Sequence, residues 1–185
     1  DDIAAVSIAS RPDCFGPEIL DIIKEVSTVK PVWIELGLQT SNEKTALLIN
    51  RGYALGEYDK AMDNLKKLDV HIIVHMIIGL PGETKQDMIS TVRYIADSGA
   101  GGIKLQLLHV LKNTVIEKMY INGEFDVLTF DEYADILCDC LRALPPDMVV
   151  HRFTGDGPKK ILVAPMWSAD KKMVLNRLNR IVSEL

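Results

Sequence analysis

Cysteine is scarce in this chain: its 185 residues include three, Cys14, Cys138 and Cys140. An odd set without framework spacing excludes a disulfide scaffold and points to free thiols in a reducing compartment. Cys138 and Cys140 stand two apart in a segment of helical pattern, so they project to roughly opposite sides. That is a poor geometry for a shared metal and an ordinary one for small packed hydrophobes. Long apolar runs are missing too. No stretch reaches the ~18 residues of a membrane span and no basic-then-apolar leader opens the chain, which reads as cytoplasmic. Positive charge is in deficit, with 21 Lys and Arg against 26 Asp and Glu and a net charge of −5. Such a balance argues against a broad nucleic-acid footprint while leaving room for a local basic groove. Nucleotide fingerprints are absent: the glycines at 99, 101 and 102 precede a strand, and Gly79 to Lys85 lacks the Gly-Lys-Ser/Thr ending of a phosphate loop.

What is present suits one α/β domain. Apolar residues make up 48% of the chain, enough to bury a core. Ile3 to Ser10, Val32 to Leu38, Val70 to Ile78, Gly102 to Val110 and Met148 to Phe153 read as strands. Helical spacing covers Ile19 to Val26, Ala61 to Leu68, Thr84 to Ser98, Thr129 to Leu144 and Lys171 to Leu185, with Thr84 a candidate N-cap and Gly99 a candidate C-cap. Strands alternating with helices imply parallel βα units with right-handed crossovers. The abrupt entry into a strand after Asp1 reads as the start of a fragment whose earlier strands lie elsewhere, and an extension begins at about residue 154.

Polar and glycine residues gather where these strands stop, the edge at which ligands bind in α/β folds. The first strand runs into Arg11-Pro12-Asp13, the second into Gly37-Leu38-Gln39-Thr40, the third into Gly79-Leu80-Pro81-Gly82-Glu83. Strand alternation places Val32, Ile34, Leu36 and Leu38 against helices and Trp33, Glu35, Gly37 and Gln39 on the opposite, site-facing side. His71 and His75 share that side but lie ~13 Å apart, too far to chelate one metal. His75, nearer the strand end, is the better candidate. Lys104 and Gln106 alternate in the fourth strand, and Lys104 reads as ion-paired, with Glu35 a candidate partner, or as a Schiff-base nucleophile. Arg51, on the loop or helix behind the second strand, reads either as a guanidinium that reaches a ligand carboxylate or as a solvated surface arginine. His151 to Lys160 forms a second polar, glycine-rich strand exit.

Taken in order, Arg11-Pro12-Asp13, Glu35-Leu36-Gly37-Leu38-Gln39-Thr40, Asn50-Arg51-Gly52 and His75 through Glu83 resemble the later strands of radical S-adenosylmethionine (SAM) enzymes. The nearest resemblance is to bacterial members similar to the catalytic subunit of Elongator, with oxygen-independent coproporphyrinogen III oxidases also related. Gly102 to Val110 and His151 to Lys160 extend the match. The resemblance implies a partial (β/α)6 TIM-type barrel, present from roughly its fourth strand onward. It also implies a [4Fe-4S] cluster held by a Cys-x3-Cys-x2-Cys loop and cleavage of SAM to a 5′-deoxyadenosyl radical. That loop is absent here, so the cluster-binding strands would be missing and the fragment inactive alone.

By motif position, the resemblance assigns Ser10 and Arg11 to the ribose and methionine region, Gln39 to a SAM-facing role, Arg51 to the methionine carboxylate and His75 to the ribose. Gly79, Leu107 and Leu108 would border the adenine. Ala9 departs from relatives that carry a glutamate there. Implied partners are SAM, an external electron donor and a substrate, with an RNA base and a tetrapyrrole both compatible; a truncated barrel edge along Ile3 to Ser10 would favour self-association. Two competing readings stand beside this one: a Schiff-base aldolase acting through Lys104, and a non-catalytic interaction module.

Overall fold

A computed structural model describes residues 2–155 and 157–185; Asp1, and Asp156 of the second glycine-rich exit, lie outside the described residues. The chain runs through β1 (Val6–Ser10), α1 (Pro17–Ser27), β2 (Val32–Gln39), α2 (Glu43–Leu48), α3 (Leu55–Leu65), β3 (His71–Ile78) and α4 (Lys85–Asp97). It continues through β4 (Gly102–Leu107), β5 (Val110–Leu111), α5 (Val115–Ile121), α6 (Phe130–Arg142), β6 (Val149–Arg152), β7 (Leu162–Ala164) and α7 (Lys171–Val182). Five strands form one parallel sheet in the order β1-β2-β3-β4-β6. β5 and β7 make a separate antiparallel ribbon.

The hydrophobic layer lies on one side of this sheet, as the alternation in β2 predicts. Val32, Ile34, Leu36 and Leu38 are buried with Ile72, Val74, Met76, Ile103 and Leu105 beneath Tyr58, Met62, Val92, Ile95 and Leu137 from the helices. Cys138 and Cys140 are buried in α6, the packed hydrophobes that their spacing suggests. Helix entries follow their caps: Thr84 and Thr129 each close a capping box, with Asp87 and Glu132.

α2 and α5 are additions to the sequence reading. Each is short, six and seven residues, too brief for an apolar stripe to show. Each is nonetheless capped, Asn42 accepting from the Lys44 and Thr45 amides and Thr114 from that of Glu117. The fourth strand ends at Leu107 and not at Val110: the Leu108 amide makes the last ladder bond, to the Ile78 carbonyl, and Val110 begins the separate strand β5.

The opposite face carries the polar residues and curls inward. Trp33 on β2 and His151 on β6 bring their ring centroids within 5.8 Å across two intervening strands. Gly102 lies in that path, and a Cβ there would stand 2.7 Å from the His151 ring.

Candidate functional site

The carboxyl end of β2 is bent by a register shift, with Gly37 opposite His75 and Gln39 opposite Met76. The extra residue and the positive φ of 71° at Gln39 re-aim its side chain, the usual consequence of a bulge. The amide folds back over Gly37, its Nε2 2.9 Å from where a Cβ would sit. Glycine at 37 therefore makes room for Gln39. The Gly37 carbonyl accepts from the Tyr53 hydroxyl.

Tyr53 is the residue the sequence reading missed; its signal is an aromatic directly after Arg51-Gly52. Its ring lies between two guanidinium groups, Arg51 at 4.5 Å and Arg11 at 5.6 Å from the centroid. Burial pushes its pKa up to about 12 despite the opposing charge of Arg51. Arg11 forks onto Asp13 at 2.9 and 2.6 Å and reaches the Gly52 carbonyl at 3.2 Å. The structure thus gathers Arg11, Gln39 and Arg51 about Tyr53.

Arg51 departs from the expectation of a guanidinium directed at a ligand carboxylate. Its side chain is 2% exposed. It donates to the Tyr53 carbonyl at 3.1 Å, the Thr40 carbonyl at 2.7 Å and Glu43 at 3.0 Å. The planar fork clamps the loop that follows β2. Nearby, Glu83 accepts from Thr40 Oγ1 at 2.5 Å and ties the exit of β3 to that of β2; burial raises its pKa.

On the inner face, Glu35 is the hub. It accepts from Ser7 at 3.2 Å, from Lys104 Nζ at 2.5 Å and from His75 Nε2 at 2.7 Å. Burial works to raise the Glu35 pKa, but the hydrogen bonds from Lys104 and His75 outweigh it and hold the carboxyl at about 2. His75 Nδ1 meets the Gln106 amide nitrogen at 2.8 Å. Burial lowers the His75 pKa, and a neutral ring accepting at Nδ1 carries its proton on Nε2, toward Glu35. Both ring nitrogens are therefore spent inside the protein, so His75 does not offer a ligand a free nitrogen. The predicted Lys104–Glu35 ion pair is present and removes the free amine that the aldolase reading requires.

Ser10 ends β1 half-buried opposite Leu36. At the exits of β3 and β4, Gly79 adopts φ 89°, and a Cβ there would stand 3.0 Å from Leu128 and 4.0 Å from Leu108. Leu108 joins Ile77, Leu80, Ile116 and Met119 in lining an apolar cavity of about 430 Å³. Leu107 is buried toward the helices, so it would meet a ligand only through its backbone.

Among the described residues no group of three or more His, Cys, Asp or Glu side chains can hold a metal ion. Cys14 is exposed and alone, while Cys138 and Cys140 are enclosed. Among them, too, no helix is long and apolar enough to cross a membrane.

Comparison with known proteins bears on the fold and the family. The uncharacterized protein YtqA of Bacillus subtilis is 42% identical over 180 residues, covering 97% of this chain and 56% of YtqA. Protein YhcC of Escherichia coli is 30% identical over 183 residues, 98% of this chain and 59% of its own length. The chain thus spans somewhat more than half the length of these relatives. Archaeal Elp3 from Methanocaldococcus infernus, lacking its N-terminus, superposes with a TM-score of 0.78 at 21% identity, over 86% of this chain and 38% of Elp3. Coproporphyrinogen III oxidase (HemN) from Escherichia coli, described as a radical SAM enzyme, gives 0.58 at 15% identity, over 75% of this chain and 31% of the oxidase. Both support the parallel partial-barrel fold. The Radical SAM superfamily model matches residues 1–95 and the Radical_SAM C-terminal domain model residues 100–184. The chain belongs to the radical SAM superfamily.

Proposed function

We propose that this chain is the carboxyl-terminal barrel portion of a cytoplasmic radical SAM oxidoreductase that binds SAM along the strand exits and holds the substrate against the inner face. The observation that carries the reading is the pairing of Gln39 with the apolar cavity. No described residue hydrogen-bonds the Gln39 side chain, and its amide lies over a glycine at the strand end. An apolar pocket opens one strand exit away, between Ile77, Leu80 and Leu108. An unpaired amide beside such a pocket suits a ligand with a polar tail and an aromatic base.

In this reading Gln39, Ser10 and Arg11 meet the polar part of SAM, while the backbone at Gly79, Leu107 and Leu108 borders the adenine. Arg51 holds the loop that presents them, and His75, with both nitrogens engaged, shapes the floor through its ring. Bound beside a reduced cluster, SAM would supply a 5′-deoxyadenosyl radical for hydrogen-atom abstraction. The cluster itself does not fit the described residues, so its three cysteines would come from outside this chain, which alone would be inactive. An external electron donor completes the system, and an RNA base or a tetrapyrrole remains the substrate class.

The test is to prepare the full-length protein anaerobically, reduce it with SAM present and measure 5′-deoxyadenosine. Formation that is abolished by replacing the upstream cysteines and weakened by Gln39→Ala supports the reading. No nucleoside from a protein with a loaded cluster overturns it.

A further inference from the structure

Gln39 is a non-glycine residue at φ 71°, a left-handed conformation that persists only where the surroundings hold it. Strand pairing gives it little support, because β1 ends opposite Leu36 and the register of β2 on β3 slips between Gly37 and Gln39. The support comes instead from one short segment that grips a carbonyl on each side of Gln39. The Gly37 carbonyl, two residues before it, accepts from the Tyr53 hydroxyl. The Thr40 carbonyl, one residue after it, accepts from Arg51 Nη1 at 2.7 Å. The two grips are joined, since Arg51 donates to the Tyr53 carbonyl at 3.1 Å and its guanidinium lies 4.5 Å from the ring centroid. Arg11 approaches the same ring at 5.6 Å and donates to the Gly52 carbonyl at 3.2 Å. Tyr53 thus does for the near side of Gln39 what Arg51 does for the far side.

We infer that Tyr53 is a positioning residue, whose hydroxyl fixes the bulge at Gly37 so that the Gln39 amide meets the amino-acid end of SAM. This assignment rests on the proposed function, in which the adenine lies at the exits of β3 and β4. Across the sheet order, Gln39 stands at the next exit and Arg11 at the one beyond it. The end of the ligand remote from its base therefore falls to these two residues. Tyr53 acts through Gln39, its own hydroxyl being spent on the Gly37 carbonyl.

The experiment is equilibrium dialysis of the full-length protein, prepared anaerobically, against two probes: S-adenosylhomocysteine, which carries the amino-acid end, and 5′-methylthioadenosine, which lacks it. Tyr53→Phe keeps the ring and removes only the hydroxyl. It should weaken S-adenosylhomocysteine about fivefold or more, the loss of one well-placed hydrogen bond, while 5′-methylthioadenosine stays within about twofold and reports an intact fold. In a Gln39→Ala background the same substitution should cost nothing further, because a residue acting through Gln39 has nothing left to act on. Tyr133→Phe, which takes a hydroxyl from another backbone carbonyl, that of Phe153, should leave both probes unchanged. Equal weakening of both probes by Tyr53→Phe, weakening of neither, or an undiminished effect beside Gln39→Ala overturns the inference and leaves the proposed function standing. Binding of neither probe by the unaltered protein overturns the SAM site itself, and the positioning role with it.

Discussion

Gln106 meets His75 at Nδ1, 2.8 Å away, and this contact decides which imidazole nitrogen bears the proton. With Nδ1 accepting, Nε2–H is directed at Glu35. Burial and the nearby charges of Lys104 and Arg152 favour the neutral ring over the pull of Glu35. We predict that ¹⁵N chemical shifts show His75 as the neutral Nε2–H tautomer at pH 7. Gln106→Leu removes a donor that favours the neutral form, so the His75 pKa should rise toward its ordinary value. An unchanged titration in the variant would refute the assignment.

The Glu35 hub sets an acid limit on stability. Its carboxyl titrates at about 2 in the fold against 4.5 in an open chain, so the unfolded state binds more protons between those values. Stability from this group is complete above about pH 4.5 and is lost as pH falls toward 2. Glu35→Gln leaves the Lys104 ammonium without its counter-ion and should cost about 2 kcal/mol in denaturant unfolding at pH 7. The variant should also lose part of the acid sensitivity between pH 4.5 and 2. Adding Lys104→Met should recover part of the loss at pH 7, because the unpaired charge is gone.

Arg51→Lys tests whether the guanidinium is a clamp. A lysine cannot reach Thr40, Tyr53 and Glu43 from one planar fork, so two buried carbonyls lose their donor. The expected cost is about 2–4 kcal/mol, with hydrogen exchange accelerated in the loop between β2 and α3. Unchanged stability and exchange would return the side chain to a ligand-facing role.

How much of this was legible in the sequence depends on the range of the contacts. Alternation along β2 separated Glu35 and Gln39 from Val32 and Ile34, because side-chain direction in a strand is a local property. The Lys104–Glu35 pair was also readable, since both alternate toward one face. Arg51 was not: its partners are Thr40, just past the end of β2, and Glu43, the first residue of α2, and that helix is too short to leave a periodic trace. His75 was placed on the right face, but the capture of both its nitrogens depends on the lateral register of β2, β3 and β4, which no single strand reveals. Ser7 joined the network for the same reason.

Gly79→Ala should destabilise the turn after β3. A side chain at φ 89° is strained whatever the space, and its Cβ would press on Leu128 at 3.0 Å. We expect a loss of about 1–3 kcal/mol and a smaller apolar cavity beside Leu108. If SAM uses this edge, the full-length variant should lose affinity for S-adenosylhomocysteine, whereas Gly123→Ala, at a positive-φ glycine with open space around it, should not.

β1 closes one side of the sheet and pairs only with β2 among the described residues. Its outer backbone groups therefore have no strand partner, and neighbouring Ile3 is 63% exposed. An unpaired parallel edge of this kind templates association between copies. If further barrel strands cover it in the full-length protein, the isolated chain should self-associate in light scattering while the longer protein does not through this edge. Introducing Ala9→Lys on the exposed face of β1 should reduce the association by charge repulsion between facing edges. A monomeric isolated chain at high concentration would mean that the edge is protected without additional strands.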